Sequence, residues 1–227
     1  MKKLVTACAA CLIVSVAAAE IVSQNVVGYH TITISQGWNF LGMNWQAVGG
    51  SSVAFDKLCS IVPVHEDTIY VANEAGGWDT YAYYYDGEGN PDNGWWGVDQ
   101  GAPLLNPGSV FWYKRVGTTA ANVSFAGQAN MSAPVQNFSA GWNLVSMKVP
   151  KPFNPALVTW TGLTTDDAIY VAAAGGGWDT YTYYYGGVSD PDNGWWGTDQ
   201  ITAGSDPIAD LDSVMWIKTA SAATLVQ

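Results

Sequence analysis

A stretch of 34 residues occurs twice in this chain, one hundred positions apart. Residues 67–100 and 167–200 align without a gap, and 24 of the 34 positions are identical. Flanking pieces return as well. Gly37-Trp38-Asn39 recurs as Gly141-Trp142-Asn143, and Ser109-Val110-Phe111-Trp112-Tyr113-Lys114 recurs as Ser213-Val214-Met215-Trp216-Ile217-Lys218. Self-similarity at a fixed period marks a repeated structural unit. The chain therefore divides into a first module at residues 20–126, a short linker at 127–132 and a second module at 133–227.

Most segments inside a module carry the alternation or the β-branched and aromatic bias of strands. Thr31-Ile32-Thr33-Ile34 alternates, and residues 67–71, 78–85, 110–114 and 122–125 are rich in Ile, Val, Tyr, Trp and Phe. Between them lie turn residues, Ala75-Gly76-Gly77 at a hairpin and Pro91-Asp92-Asn93-Gly94 in a loop, which supply a fixed φ or tolerate a positive one. One short helix per module fits residues 52–61 and 154–162. The expected class is all-β, with two tandem β-sandwich or small-barrel modules related by internal duplication. Phe111 and Tyr113 become Met215 and Ile217 in the second copy, an exchange that a packed core permits, so that face is assigned inward. Trp38 and Trp142 are expected as buried equivalents.

Residues 1–19 read as a secretory leader. Lys2 and Lys3 precede an apolar run, and Ala17 and Ala19 form an A-x-A cleavage site before Glu20. The run is too short for a membrane span, which needs about 20 apolar residues, and no later run is long enough. Cys8 and Cys11 precede the apolar core, whereas a lipid-modified cysteine would follow it. The expected location is therefore secreted or extracytoplasmic: periplasm, cell surface or medium. Removal of the leader leaves Cys59 as the single cysteine, so no intrachain disulfide forms. Its neighbourhood, Phe55-Asp56-Lys57-Leu58-Cys59, suits a buried small hydrophobe. The formal charge is −11. Without Lys2 and Lys3, six of the eight Lys and Arg remain, too few for the basic stripe of a nucleic-acid binder.

Short motifs carry a resemblance. Val27-Gly28-Tyr29-His30-Thr31-Ile32 fits a V-G-Y-x-T-[IV] opening, and Gly37-Trp38-Asn39-Phe40 fits a G-W-N-[LF] strand. Gly108-Ser109-Val110-Phe111-Trp112 fits a later strand of the G-x-[GAV]-[YF]-W type, from which the second copy departs at Asp212 and Met215. In these features the chain resembles a loose set of secreted bacterial proteins with β-rich, Trp/Tyr-rich modules. The resemblance implies an exported β module and brings no assigned activity or catalytic residue.

Three constellations could carry chemistry. The first is the set of paired acids, Asp67, Asp79, Asp92 and Asp99 with Asp167, Asp179, Asp192 and Asp199. Glycosidases use two carboxylates across a sugar, but Asp-rich turns explain the same residues. The second is the loop with Asp86, Glu88, Asn90, Asp92 and Asn93, whose oxygens suit calcium. It lacks the twelve-residue pattern with its bidentate Glu, and the second copy keeps only Asp190, Asp192 and Asn193. His30 and His65 have no counterparts in the second module, and no nucleophile elbow or phosphate loop occurs. No catalytic residue, cofactor or metal is assigned.

The third constellation is aromatic. Trp78, Tyr81, Tyr83, Tyr84, Tyr85, Trp95 and Trp96 crowd one hairpin region and recur a hundred positions later. The candidate site among them, Tyr83, Tyr84, Trp95 and Trp96 with Asp92 and Asp99 beside them, returns as Tyr183, Tyr184, Trp195, Trp196, Asp192 and Asp199. Trp95 and Trp96 must point to opposite faces of an extended strand. One ring then faces the core and the other faces solvent or a neighbour. Exposed rings stack on the apolar faces of sugars, and nearby Asp accepts hydroxyl hydrogen bonds. The sequence thus leads to a secreted, non-enzymatic tandem-module protein whose partner is polysaccharide. The alternative is a structural or assembly protein of the envelope or matrix, whose aromatics bury contacts with another envelope protein.

Overall fold

A computed structural model describes residues 27–47, 52–73, 76–98, 101–130, 132–173, 177–197, 207–211 and 213–227. The leader, Ala75, Asp99 and Asp199 lie outside the described residues. The first module contains β1 (Val27–Ile34), β2 (Gly37–Gly42), β3 (Trp45–Gln46), β4 (Val53–Ala54), α1 (Phe55–Leu58) and β5 (Cys59–Ser60). It continues with β6 (Thr68–Ala72), β7 (Trp78–Tyr84), β8 (Gly94–Gly97), β9 (Leu104–Leu105), β10 (Val110–Arg115) and β11 (Ala121–Ala129). β11 runs through Gly127, Gln128 and Ala129, so regular structure extends into the segment read as the linker.

The second module contains β12 (Val135–Phe138), β13 (Gly141–Ser146), β14 (Thr159–Thr161), β15 (Ala168–Ala172) and β16 (Trp178–Tyr184). It closes with β17 (Gly194–Gly197), β18 (Val214–Thr219) and β19 (Ala223–Val226). The chain is all-β, as expected. Helix is scarcer than the sequence suggested. α1 is a single turn of four residues, and its counterpart Pro155–Leu157 is a 3-10 turn. Asn154 accepts the Ala156 amide at 2.8 Å and Pro155 fixes the first φ, which starts that turn but does not extend it.

Each module is sandwich-like. A five-stranded antiparallel sheet, ordered β2-β10-β6-β7-β8 in the first module and β13-β18-β15-β16-β17 in the second, covers a smaller sheet. The smaller sheets are β1-β11-β3, with β5 also on β11, and β12-β19-β14. The inner faces alternate as strands require. Phe111 and Tyr113 point inward from β10, and Val123 and Phe125 from β11; all four are buried. Met215 and Ile217 replace the first pair in the second core, as the exchange between copies indicated. Phe55 sits among Trp95, Phe111 and Phe125 with ring centroids 5.8–6.5 Å apart. Cys59 is buried in the same core. The modules touch where β10 meets β13 and β18 meets β2, and there Asn44 Nδ2 donates to the Leu211 carbonyl.

The expected burial of Trp38 and Trp142 is overturned: they are 56% and 57% exposed. The reason lies in the residue that follows each. Asn39 takes the inward position and bonds the preceding turn, accepting from Ser35 N at 3.0 Å and donating to Ser35 O at 2.9 Å and Tyr113 O at 3.3 Å. Asn143 does the same with Ser139 and Ile217. Gly37 and Gly141 enter at φ of 94° and 100°, the left-handed region open to glycine. With Asn inside, the two-residue period of a strand sends Trp outside.

A buried carboxylate also repeats. Asp67 accepts from Val64 N at 3.0 Å, Val116 N at 2.8 Å, Tyr113 Oη at 2.7 Å and Arg115 Nη1 at 3.4 Å. Asp167 accepts from Thr164 N and Ala220 N, at 2.8 and 2.7 Å, and from Thr164 Oγ1 at 3.3 Å. Tyr113 and Arg115 are Ile217 and Thr219 in the second copy, so the carboxylate keeps its amides and loses the phenol and the cation. Asp67 and Asp167 tie loops to strands and reach no cleft.

Candidate functional site

Among the described residues no second layer covers the outer face of either five-stranded sheet. Its side chains follow from the register. Trp112 on β10 stands opposite Phe40 on β2 and Tyr70 on β6, and Lys114 stands opposite Trp38 and Thr68. Trp78 faces Ala72, and Trp96 on β8 faces Ala82 on β7. Residues opposite each other in a ladder share a face. The outer surface is thus aromatic at both ends, with Thr68, Thr80 and Ala82 between.

At the β2 end, Trp38, Tyr70, Trp78 and Trp112 line an open hollow of about 470 Å³. Trp38 lies 5.2 Å from Tyr70, and Trp112 stacks on Phe40 at 4.0 Å with an interplanar angle of 14°. Lys114 Nζ lies 5.6 Å from the Trp38 ring centre, a cation–π distance. The second copy repeats the pad. Trp142 is 5.0 Å from Tyr170, and Lys218 Nζ is 5.8 Å from the Trp142 ring. Of these pad residues Trp78 belongs to the aromatic constellation of the sequence, whereas Trp38, Tyr70, Trp112 and Lys114 were not singled out as site residues. The signal was there, because once Phe111 and Tyr113 are inward, Trp112 and Lys114 must be outward.

At the β8 end, the structure brings together several sequence-derived site residues. Tyr83, Tyr84, Asp92 and Trp96 line a hollow of about 710 Å³ with His65 and Glu66, and Tyr183, Tyr184, Asp192 and Trp196 line one of about 410 Å³. Trp96 is 44% exposed. Its indole Nε1 donates to the Asp92 carbonyl at 2.8 Å, and Trp196 does the same to Asp192, so each ring is held in place by its loop. Trp95 and Trp195 turn the other way, into the cores, at 7% and 3% exposed, with Tyr83 and Tyr183 half-buried 5.4 Å from them.

Electrostatics at this end are acidic. Asp86, and less strongly the partial desolvation of the ring and Asp92, hold the Tyr84 phenol above its ordinary pKa. Asp190 is the first cause of the same shift at Tyr184, whose hydroxyl lies 3.4 Å from Asp190 Oδ2. Both phenols stay neutral, hydrogen-bonding groups through physiological pH. Two of the side-chain oxygens that suit calcium, those of Asn90 and Asn93, bond within the turn itself. Asn93 Oδ1 accepts from Asp86 N at 2.8 Å, and Asn90 Oδ1 accepts from Asp92 N at 2.9 Å. Among the described residues no group of three or more His, Cys, Asp and Glu is placed to hold a metal ion.

Asp79, one of the paired acids, receives Asn73 Nδ2 at 2.8 Å and belongs to the β6–β7 hairpin. Cys59 lines an inter-sheet hollow, where burial pushes its thiol far above the ordinary range. No described helix is long and apolar enough to cross a membrane. No family model, curated protein or solved structure matches this chain.

Proposed function

We propose that this is an exported, non-enzymatic tandem-module protein that holds extracellular glycan on the outer sheet face of each module. The observation that carries the reading is the exposed aromatic surface, built twice with the same tryptophans and lysine in the same register. Flat Trp and Tyr rings cover the apolar C–H faces of sugar rings and take both surfaces out of water. The edges of a sugar are hydroxyls, and they meet Lys114 at one end and Asp92, Glu66 and the Tyr84 phenol at the other. The leader at residues 1–19 delivers such a protein to the compartment where polysaccharide is found, and the secreted set that the chain resembles fits the same location.

Two like faces on one chain favour polymers over short sugars, because the second contact is intramolecular once the first is made. A glycan array probed with the chain from Glu20 tests the reading. The expected result is retention on one class of polysaccharide that falls when Trp96 and Trp196 are both replaced by Ala, with the circular dichroism unchanged. Retention unaffected by that pair, or self-association that the same pair abolishes, would transfer the faces to the structural and assembly reading.

A further inference from the structure

One row of side chains crosses each large sheet from edge to edge. In the first module it reads Trp38, Lys114, Thr68, Ala82, Trp96, one residue from each of the five strands, each directly opposite the next. In the second it reads Trp142, Lys218, Ala168, Thr182, Trp196. Both rows begin and end on tryptophan and are low in the middle, where Thr and Ala stand two strands deep. Four interstrand spacings separate the end tryptophans, roughly 19 Å.

We infer that one extended, uncharged polysaccharide chain lies along each row, at right angles to the strands, with its sugar rings seated on the tryptophan at either end. This inference rests on the glycan reading above and specifies the ligand's shape, direction and charge. Shape follows from the row. The end rings are too far apart for one sugar ring to touch both, and the Thr/Ala floor leaves room for the intervening rings. A compact or branched ligand would use one pad and leave the other bare.

Charge follows from what flanks the row. The only cation in it is Lys114, or Lys218 in the second module, and among the described residues neither forms an ion pair. Carboxylates stand at the other end, Glu66 and Asp92 beside Trp96 and Asp166 and Asp192 beside Trp196, and the chain carries a formal charge of −11. A polyanion would gain one lysine and meet two carboxylates within about a screening length. Hydroxyls both donate and accept, so an uncharged chain satisfies the ammonium and the carboxylates together.

Titration calorimetry with the whole chain from Glu20 tests this. The probes are cello-, xylo- and manno-oligosaccharides from disaccharide to octasaccharide, with polygalacturonate as the charged comparison. The expected result is affinity that rises at least tenfold with length in one uncharged series and levels off once the row is spanned. Trp38→Ala with Trp142→Ala, and separately Trp96→Ala with Trp196→Ala, should each remove that rise. Ala82→Trp with Thr182→Trp, which raises the floor, should remove it while disaccharide binding remains. Affinity that is flat with length, loss through only one pair of tryptophans, or preference for polygalacturonate would overturn the row while leaving glycan binding in place. Absence of binding to every probe would overturn both.

Discussion

Trp38 lies edge-on to Trp112, ring centroids 5.9 Å apart and planes at 86°, and Trp142 stands to Trp216 in the same way at 6.1 Å and 88°. The residues beneath these rings differ between the modules: Phe111 and Tyr113 in one, Met215 and Ile217 in the other. The outer arrangement thus persists over two differently packed cores. Phe40, which stacks on Trp112, is Leu144 in the second copy, so the part of this pad common to both modules is the tryptophan pair with its tyrosine and lysine.

Stability separates the outer aromatics from the inner ones. Trp38→Ala removes edge contacts of a half-exposed ring, for which aromatic pairs contribute about 1 kcal/mol. Phe111→Ala empties a fully buried site and should cost about 3–5 kcal/mol. Urea unfolding of the two variants is the check. A loss near 4 kcal/mol for Trp38→Ala would mean that the ring is part of the core after all.

Asp67 and Asp167 invite a paired comparison. Asp67→Ala leaves the Arg115 guanidinium buried without its carboxylate, and breaking such a pair costs about 3–5 kcal/mol. Asp167→Ala orphans the Thr164 and Ala220 amides but no cation, and about 1–3 kcal/mol is expected for unsatisfied buried donors. Chemical denaturation should therefore rank Asp67→Ala as the more damaging. Equal losses would show that Arg115 contributes nothing to the first site.

Alkaline pH should weaken the first module through two groups. Burial pushes the Cys59 thiol and the Tyr113 phenol above their ordinary values, and the hydrogen bond to Asp67 raises Tyr113 further. In the unfolded chain these groups release protons near pH 8.5 and 10, while the folded chain keeps them. The unfolded state then binds fewer protons, so stability is complete below about pH 8.5 and falls above it, by up to about 1.4 kcal/mol per pH unit for each group. Cys59→Ala should flatten the first part of that decline and Tyr113→Phe the second, read as thermal midpoints between pH 7 and 11. The native thiol should also resist a disulfide reagent until the protein unfolds.

Much of this architecture is legible in the residues. The repeat and its strands follow from identity and alternation, and the opposite orientations of Trp95 and Trp96 follow from adjacency on one strand. The inward assignment of Phe111 and Tyr113 rests on what replaces them. Trp38 stands outside, against the expected burial, because its orientation is set by the neighbouring Asn39, whose amide must reach the Ser35 turn. The full row from Trp38 to Trp96 was hidden for a different reason. It depends on strand order, which places β2 and β8 at opposite edges of one sheet although Trp38 and Trp96 are distant in sequence. The short helices failed at the level of packing, since one turn suffices to carry Phe55 into the core.

The most direct test of the account is native affinity electrophoresis through a gel containing the polysaccharide that the array selects. The comparison is between the unaltered chain and one in which Trp38, Trp96, Trp142 and Trp196 are all Ala. The account predicts strong retardation of the first and migration of the second as in a gel without polysaccharide, with both folded by circular dichroism. Equal retardation of the two would contradict it and remove the outer sheet faces as the site of binding.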